Sequence, residues 1–301
     1  MTTSPTSTPS APATVSDREF RLALYDVAAR DGGFHATSEW TPQPFAADEY
    51  SRFKYGDEAQ AARYGATLAR ALSEHFAARR GTGGDNYGEG ITIVGTPYKS
   101  LPNAAKLLAD AAERELRVRQ PDARVSGTRI YQHRLAAGDY GRLPQAEREA
   151  RNRQKRYFLD AADFAGRHVV LIDDVRVTGS IERSVLTLLD GVPWASLTVA
   201  SLLRIDPETA RQNPQVEDAL NHARIAALSD LLPLMSADRF VLITRTVKRI
   251  LEADLPALQA FLAALGPARR AELYRAAVDD GYSVMEGYAA SFGLLESFYP
   301  Y

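Results

Sequence analysis

The stretch Val169-Val-Leu-Ile-Asp-Asp-Val-Arg-Val-Thr-Gly-Ser-Ile181 decides how the rest of the chain reads. Its run of apolar residues, closed off by polar ones, fits a strand buried on both faces of a parallel sheet. Ligands of such sheets gather at the carboxyl ends of the strands, and Asp173 and Asp174 stand at that end. Adjacent carboxylates repel each other unless a cation or hydrogen-bond donors join them. A Mg²⁺ complex or a sugar diol would serve. Thr178-Gly179-Ser180 then turns into a segment with Ile181, Val185, Leu188 and Leu189 at helical spacing. Free N–H groups at a helix start, two hydroxyls and a permissive glycine make a compact phosphate cradle. A diol site beside a phosphate site describes a pocket for ribose 5-phosphate. The same residues also read as an ordinary strand–turn–helix connection, with Ser180 as N-cap and both acids solvated.

A second stretch, Gly95-Thr-Pro-Tyr-Lys-Ser-Leu-Pro-Asn103, follows another short apolar run, Ile91 to Val94, and precedes a helical segment from Ala104 to Arg117. Gly95 and Pro97 shape a tight turn with Tyr98 and Lys99 at its tip. A cation at a strand end, near exposed N–H groups, can hold a polyanion; a surface loop with a solvated lysine is the plainer reading. Further strands are predicted at Arg129–His133 and Ala195–Leu203, and a helix over Ala59–Phe76 with Tyr64, Leu68, Leu72 and Phe76 on one face. Strands alternating with helices predict an α/β fold, a parallel sheet flanked by helices. From Asp206 on the pattern is mainly helical, with Leu255, Leu258, Phe261, Leu262 and Leu265 as a stripe. The division expected is a disordered Ser/Thr/Pro/Ala tail over 1–17, a core over 18–205, and a helical extension over 206–301, forming a hood or a dimer surface.

Composition bounds the possibilities. The 301 residues carry a net charge of −2, so no global field favours nucleic acid. There is no cysteine, which excludes disulfides, thiolate metal sites and cysteine nucleophiles. No uncharged apolar run is long enough to cross a membrane, and the N-terminus lacks the pattern of a secretory signal; the expectation is a cytoplasmic protein. Lysine occurs only at 54, 99, 106, 155 and 248, and arginine supplies the rest of the basic residues.

The stretch 169–181 resembles the phosphoribosyl-pyrophosphate (PRPP) motif of type I phosphoribosyltransferases: apolar residues, two acids, a turn, then Thr-Gly and a small residue. The 95–103 stretch resembles the pyrophosphate loop of orotate phosphoribosyltransferases, with Gly95, Tyr98, Lys99 and Pro102 at matching places and Ser100 where the second glycine is usual. The order is the family's. The resemblance implies that Asp173 and Asp174 bind ribose, and a Mg²⁺ ion directly or through ribose or water. It implies that Val175, Arg176, Val177, Thr178, Gly179 and Ser180 bind phosphate, and that Thr96 and Tyr98 contact substrate. Lys99 and Arg134 would neutralise the leaving diphosphate. The reaction implied is Mg²⁺-dependent displacement of pyrophosphate from PRPP by a nitrogen base or base-like acceptor, in a homodimer. Arg176 stands where an aliphatic residue is usual and Ile181 where a hydroxyl is usual. With Ser100, these departures favour the alternative, a PRPP- or nucleotide-sensing regulator that keeps the pocket without turnover; an incidental structural domain is the third reading.

The arginine-rich stretch from Arg134 to Tyr157 is expected to be either a lid over the diphosphate or a solvated helix. Phe53, Lys54 and Tyr55, with Phe298 and Tyr299, are candidates for contacting the acceptor or for plain packing. Arg52-Phe-Lys-Tyr-Gly-Asp57 also resembles phosphoribosyltransferase-like proteins of bacterial tellurium-resistance stress operons, a likeness that indicates no substrate.

Overall fold

The computed structural model describes residues 19–30, 32–81, 90–133 and 157–299. Its centre is a six-stranded sheet in the order β2-β1-β8-β7-β3-β4. The strands are β1 (Glu19–Arg30), β2 (Gly33–Thr37), β3 (Ile91–Gly95), β4 (Val125–Thr128), β7 (His168–Arg176) and β8 (Ser196–Ile205). All neighbours run parallel except the β1–β2 pair at one edge. A separate antiparallel pair joins β5 (Tyr131–Gln132) to β6 (Tyr157–Phe158). The helices are α1 (Ala47–Lys54), α2 (Glu58–Gly81), α3 (Ala104–Arg119) and α4 (Ser180–Leu189), then α5 (Pro207–Gln212), α6 (Val216–Asn221), α7 (Leu231–Met235), α8 (Thr244–Leu251), α9 (Leu255–Ala264), α10 (Pro267–Asp279) and α11 (Ala289–Ser297).

Period-two alternation explains how β7 serves two cores. Val170 and Ile172 pack into the cluster built with α2 and α3, which includes Leu68, Leu72, Phe76, Leu108 and Leu116. Val169 and Leu171 point the other way, onto Val185 and Leu189 of α4. Burying both faces is what makes this strand a continuous apolar run. The stripe predicted on α2 is the buried one, and α2 and α3 approach so closely that Gly65 lies against the backbone of Ala111. A third core, from Tyr55 to Leu295, is formed almost wholly by the helices after β8.

The strand predicted at 129–133 lies four residues earlier. Val125–Thr128 takes the sheet edge, while Tyr131 and Gln132 pair with β6. An edge strand is covered on one side only, so Val-Ser-Gly-Thr needs no apolar run. The Ser180 N-cap reading is also replaced: Gly179 is the cap residue, in the left-handed conformation with φ +68°. The tail over 1–17, Arg134 and the stretch to 156 lie outside the described residues.

Candidate functional site

Register brings the two motifs together. Gly95 lies opposite Ile172, and Asp173 opposite Ser201 of β8, so the loop after β3 begins level with the acids of β7, at the carboxyl edge of the sheet. A small cleft there is lined by Thr96, Asp173, Arg176, Glu182 and Ser201.

The acids are tied into the backbone and to each other. Asp173 Oδ1 accepts from Asp174 N at 2.9 Å, and Asp174 Oδ1 accepts from Val175 N at 3.1 Å. Lys54, at the end of α1 and 3% exposed, places its Nζ on Asp174 Oδ2. Glu217 of α6 lies 3.6 Å from the same ammonium. Burial, then the neighbouring Asp174 charge, push Asp173 well above the usual carboxylate range. Burial pushes Asp174 up as well, but the Lys54 charge and the hydrogen bonds from Asp173 and Lys54 outweigh it and hold it low. The two carboxyls are thus pushed in opposite directions, Asp173 towards holding its proton and Asp174 towards giving it up to face the Lys54 ammonium.

Past the acids, Val175 is buried and Val177 packs partly on the larger core. Arg176 points back along the strand: its Nε donates to Glu182 Oε2 at 2.8 Å, while Arg21 donates to Oε1 of the same buried carboxylate at 2.7 Å. Thr178 is exposed, and its carbonyl accepts from Arg183. Gly179 reverses the chain, and α4 begins at Ser180 with no side-chain cap. The first N–H groups of a helix lack intrahelical partners and carry partial positive charge, which suits a phosphate.

The loop after β3 is held on several sides. Asn103 caps α3 by accepting from Lys106 N, and donates to Thr96 Oγ1 at 3.0 Å. The Arg129 guanidinium sits between the rings of Tyr98 and Tyr131, 4.2 and 4.3 Å from their centroids, and also donates to the Lys99 carbonyl. Lys99 is not a solvated tip: its Nζ donates to the Asp280 carbonyl at 2.7 Å. Asp280 Oδ1 accepts from both Ser100 N and Leu101 N at 2.9 Å.

Lys54, Arg129 and Asp280 thus join the site beyond the motif residues. The sequence offers Lys54 only as a candidate for the acceptor, and nothing local marks the other two. Phe53 and Tyr55 are packing residues in two different cores. Tyr299 stacks on Tyr274 at 4.2 Å, and Phe298 packs on the helices of the third core.

Asp173 and Asp174 could offer one or two carboxylate oxygens to a Mg²⁺ that keeps its waters and is shared with a substrate's phosphates, not an all-protein cage. Among the described residues no group of three metal-ligating side chains gathers, and one oxygen of Asp174 already carries an ammonium. Nor, among them, is any helix long and apolar enough to cross a membrane.

A mostly parallel sheet with helices on both faces, two acids near the carboxyl end of one central strand and a turn into an uncapped helix define a protein of the type I phosphoribosyltransferase class. The family described as "PRTase ComF-like" matches residues 31–295, and the chain belongs to that phosphoribosyltransferase family. The match runs through the helices after β8 as well as the sheet. Among solved structures, the hypoxanthine-guanine phosphoribosyltransferase of L. donovani is similar at 16% identity, with 50% of this chain and 70% of that one covered and a TM-score of 0.33. A Staphylococcus aureus hypoxanthine phosphoribosyltransferase gives 16%, 51%, 67% and 0.33. A Trypanosoma cruzi one gives 16%, 57%, 73% and 0.35. No curated protein matches the chain.

Proposed function

We propose that the protein binds a 5-phosphoribosyl ligand at the carboxyl edge of β7, as a member of a family built for phosphoribosyl transfer. Asp173 and Asp174 take the ribose hydroxyls. Residues 175–180 and the first N–H groups of α4 take the 5-phosphate, with Thr178 and Ser180 adding hydroxyls. One observation carries this reading: paired acids lie two residues before the carboxyl end of a central strand, and a left-handed Gly179 then opens an uncapped helix.

In the transfer reading, a nitrogen acceptor forms a bond to C1 of PRPP as the C1–oxygen bond breaks and the electron pair leaves with pyrophosphate. Charge stabilisation and positioning are all the protein must supply. Thr96, Tyr98, Lys99 and Arg134 are the candidates to receive the leaving group, and Mg²⁺ arrives with the diphosphate as part of the substrate. A homodimer in the cytoplasm belongs to the same reading. The sensing alternative, binding without turnover, is favoured by a specific observation: the donors of the 95–103 loop are engaged by Asp280.

Calorimetric titration of ribose 5-phosphate tests the site. Binding that is lost in Asp173→Asn/Asp174→Asn, with the fold retained by circular dichroism, supports it; equal binding in that variant refutes the assignment of the acids. Pyrophosphate release from PRPP with a panel of bases separates transfer from sensing.

A further inference from the structure

The 95–103 loop already holds an anion, and that anion is part of the chain. Ser100 N and Leu101 N both donate to Asp280 Oδ1. Lys99 Nζ donates to the Asp280 carbonyl, and Ser100 Oγ to the Asp279 carbonyl at 3.1 Å. Every one of these donors is spent on the carboxyl end of α10, where the helix dipole adds partial negative charge. Asp280 is fully buried, and its Oδ2 has no hydrogen-bond partner. Burial pushes its carboxyl above the usual range, against the pull of the two N–H groups. Gly281 follows with φ +83°, and a Cβ there would stand 2.9 Å from Lys99 Nζ, so glycine lets the ammonium reach the helix end.

The loop is also fixed from beneath. Thr244 of α8 donates its N–H to the Pro102 carbonyl at 2.9 Å and its hydroxyl to the Leu101 carbonyl at 3.1 Å. Releasing the loop would therefore break contacts to both α8 and α10. The phosphate side differs: the start of α4 has no side-chain cap, and the nearby Glu182 is neutralised by Arg21 and Arg176. One anion seat is filled from within the chain; at the other, no side chain among the described residues caps the helix.

We infer that the ligand is a 5-phosphoribosyl compound without a diphosphate on C1, the nucleoside 5′-monophosphate class, because Asp280 occupies the loop that would receive a diphosphate. This rests on the site proposed above and specifies its ligand. A diphosphate brought to the loop would have to displace the Asp280 carboxyl and compete for two N–H groups and an ammonium already engaged.

The test is calorimetry on the full-length protein with ribose 5-phosphate, AMP, PRPP with Mg²⁺, and pyrophosphate with Mg²⁺. Ribose 5-phosphate and AMP should bind, pyrophosphate at 1 mM should not displace them, and PRPP should be no more than tenfold tighter than ribose 5-phosphate. PRPP tighter by more than tenfold overturns the inference and leaves the site standing. No binding by any of the phosphoribosyl compounds removes the site, and the inference with it. Asp280→Asn keeps an oxygen for the two N–H groups and drops the charge; Asp280→Ala empties the seat. The preference for PRPP over ribose 5-phosphate should rise about tenfold in Asp280→Ala and less in Asp280→Asn. A folded Asp280→Ala with an unchanged preference refutes the inference, and if that variant fails to fold the wild-type ratio decides.

Discussion

Replacing Lys54 with methionine should unfold the protein far more readily than an ordinary lysine substitution does. The side chain is 4% exposed and its partner Asp174 is 14% exposed, so solvent screens the pair little. Contacting unit charges at an effective dielectric near 20 attract by about 4 kcal/mol. Removing one partner of a buried pair leaves the other charge uncompensated, at a cost of about 3–5 kcal/mol. Methionine keeps most of the apolar stem, so the loss is electrostatic. Glu217 is not orphaned, because Arg245 remains 3.4 Å away. For a chain of 301 residues, at about 1.6 °C per kcal/mol, the melting temperature should fall by about 5–8 °C.

The assay is urea unfolding at pH 7 of wild type, Lys54→Met, Asp174→Asn and the double variant. The double variant should recover about 2–3 kcal/mol relative to the sum of the single losses, since it removes both charges. The sign with pH follows from Asp174. Its folded carboxyl is held low, so the pair's contribution is present above the unfolded carboxylate range and is lost as pH falls through the folded value. The Lys54→Met deficit should therefore shrink in acid. A deficit under about 1 kcal/mol at pH 7, or strict additivity in the cycle, refutes the claim that this ammonium is the counter-ion of the acidic pair.

Asp173 gives the opposite sign. Its folded carboxyl lies high, so ionising it opposes folding as pH rises, and Asp173→Asn should raise the melting temperature at pH 7–8 with the gain vanishing near pH 4; an unchanged or lower value at pH 8 contradicts the upward push on this carboxyl. His168 is buried against Ser196 and Thr198, and burial lowers its ring to about 3. Stability should fall as pH drops below about 6.5, by about 3 kcal/mol from this residue at pH 4.5, and His168→Gln should flatten that slope in urea unfolding. Gly65→Ala would put a Cβ 2.4 Å from Ala111 Cβ and 2.8 Å from its carbonyl carbon. The overpacking should exceed the gain of about 1 kcal/mol in helix propensity, so differential scanning calorimetry should show a net loss.

How far these properties can be read from the sequence depends on where their causes lie along the chain. The run 169–172 announces a two-faced strand because both its neighbours and both its covering layers demand apolar side chains. Asp173, Asp174 and Gly179 follow within the same turn, so their placement at the sheet edge is a local consequence of the strand. The edge strands were harder. β4 has no apolar run, since one side of it faces no strand, and the apolar signal falls instead on Ile130, which is buried in the core with Val94, Phe164 and Val169. β1 and β2 pair from Arg30 with Gly33, and the dipeptide Asp31-Gly32 between them is a strong hairpin signal. The strand it leads into is faint in the sequence, because Gly33–Thr37 has little apolar character of its own.

The charge state of the site is another matter, because it is set from the far ends of the chain. Lys54 reaches Asp174 from a helix that precedes the motif by more than a hundred residues, and Asp280 reaches Ser100 and Leu101 from one that follows the loop by still more. Neither contact leaves a periodicity or a motif, and each places a charge where a ligand or metal would otherwise bring one. Local sequence therefore reports where a phosphoribosyl group can lie, while remote residues decide which charges it may carry. A chain can keep every motif residue and change its ligand by moving two side chains that belong to none of them. Paired substitution at Lys54 and Asp280 is thus a sharper probe of what this fold accepts than further change within 169–181.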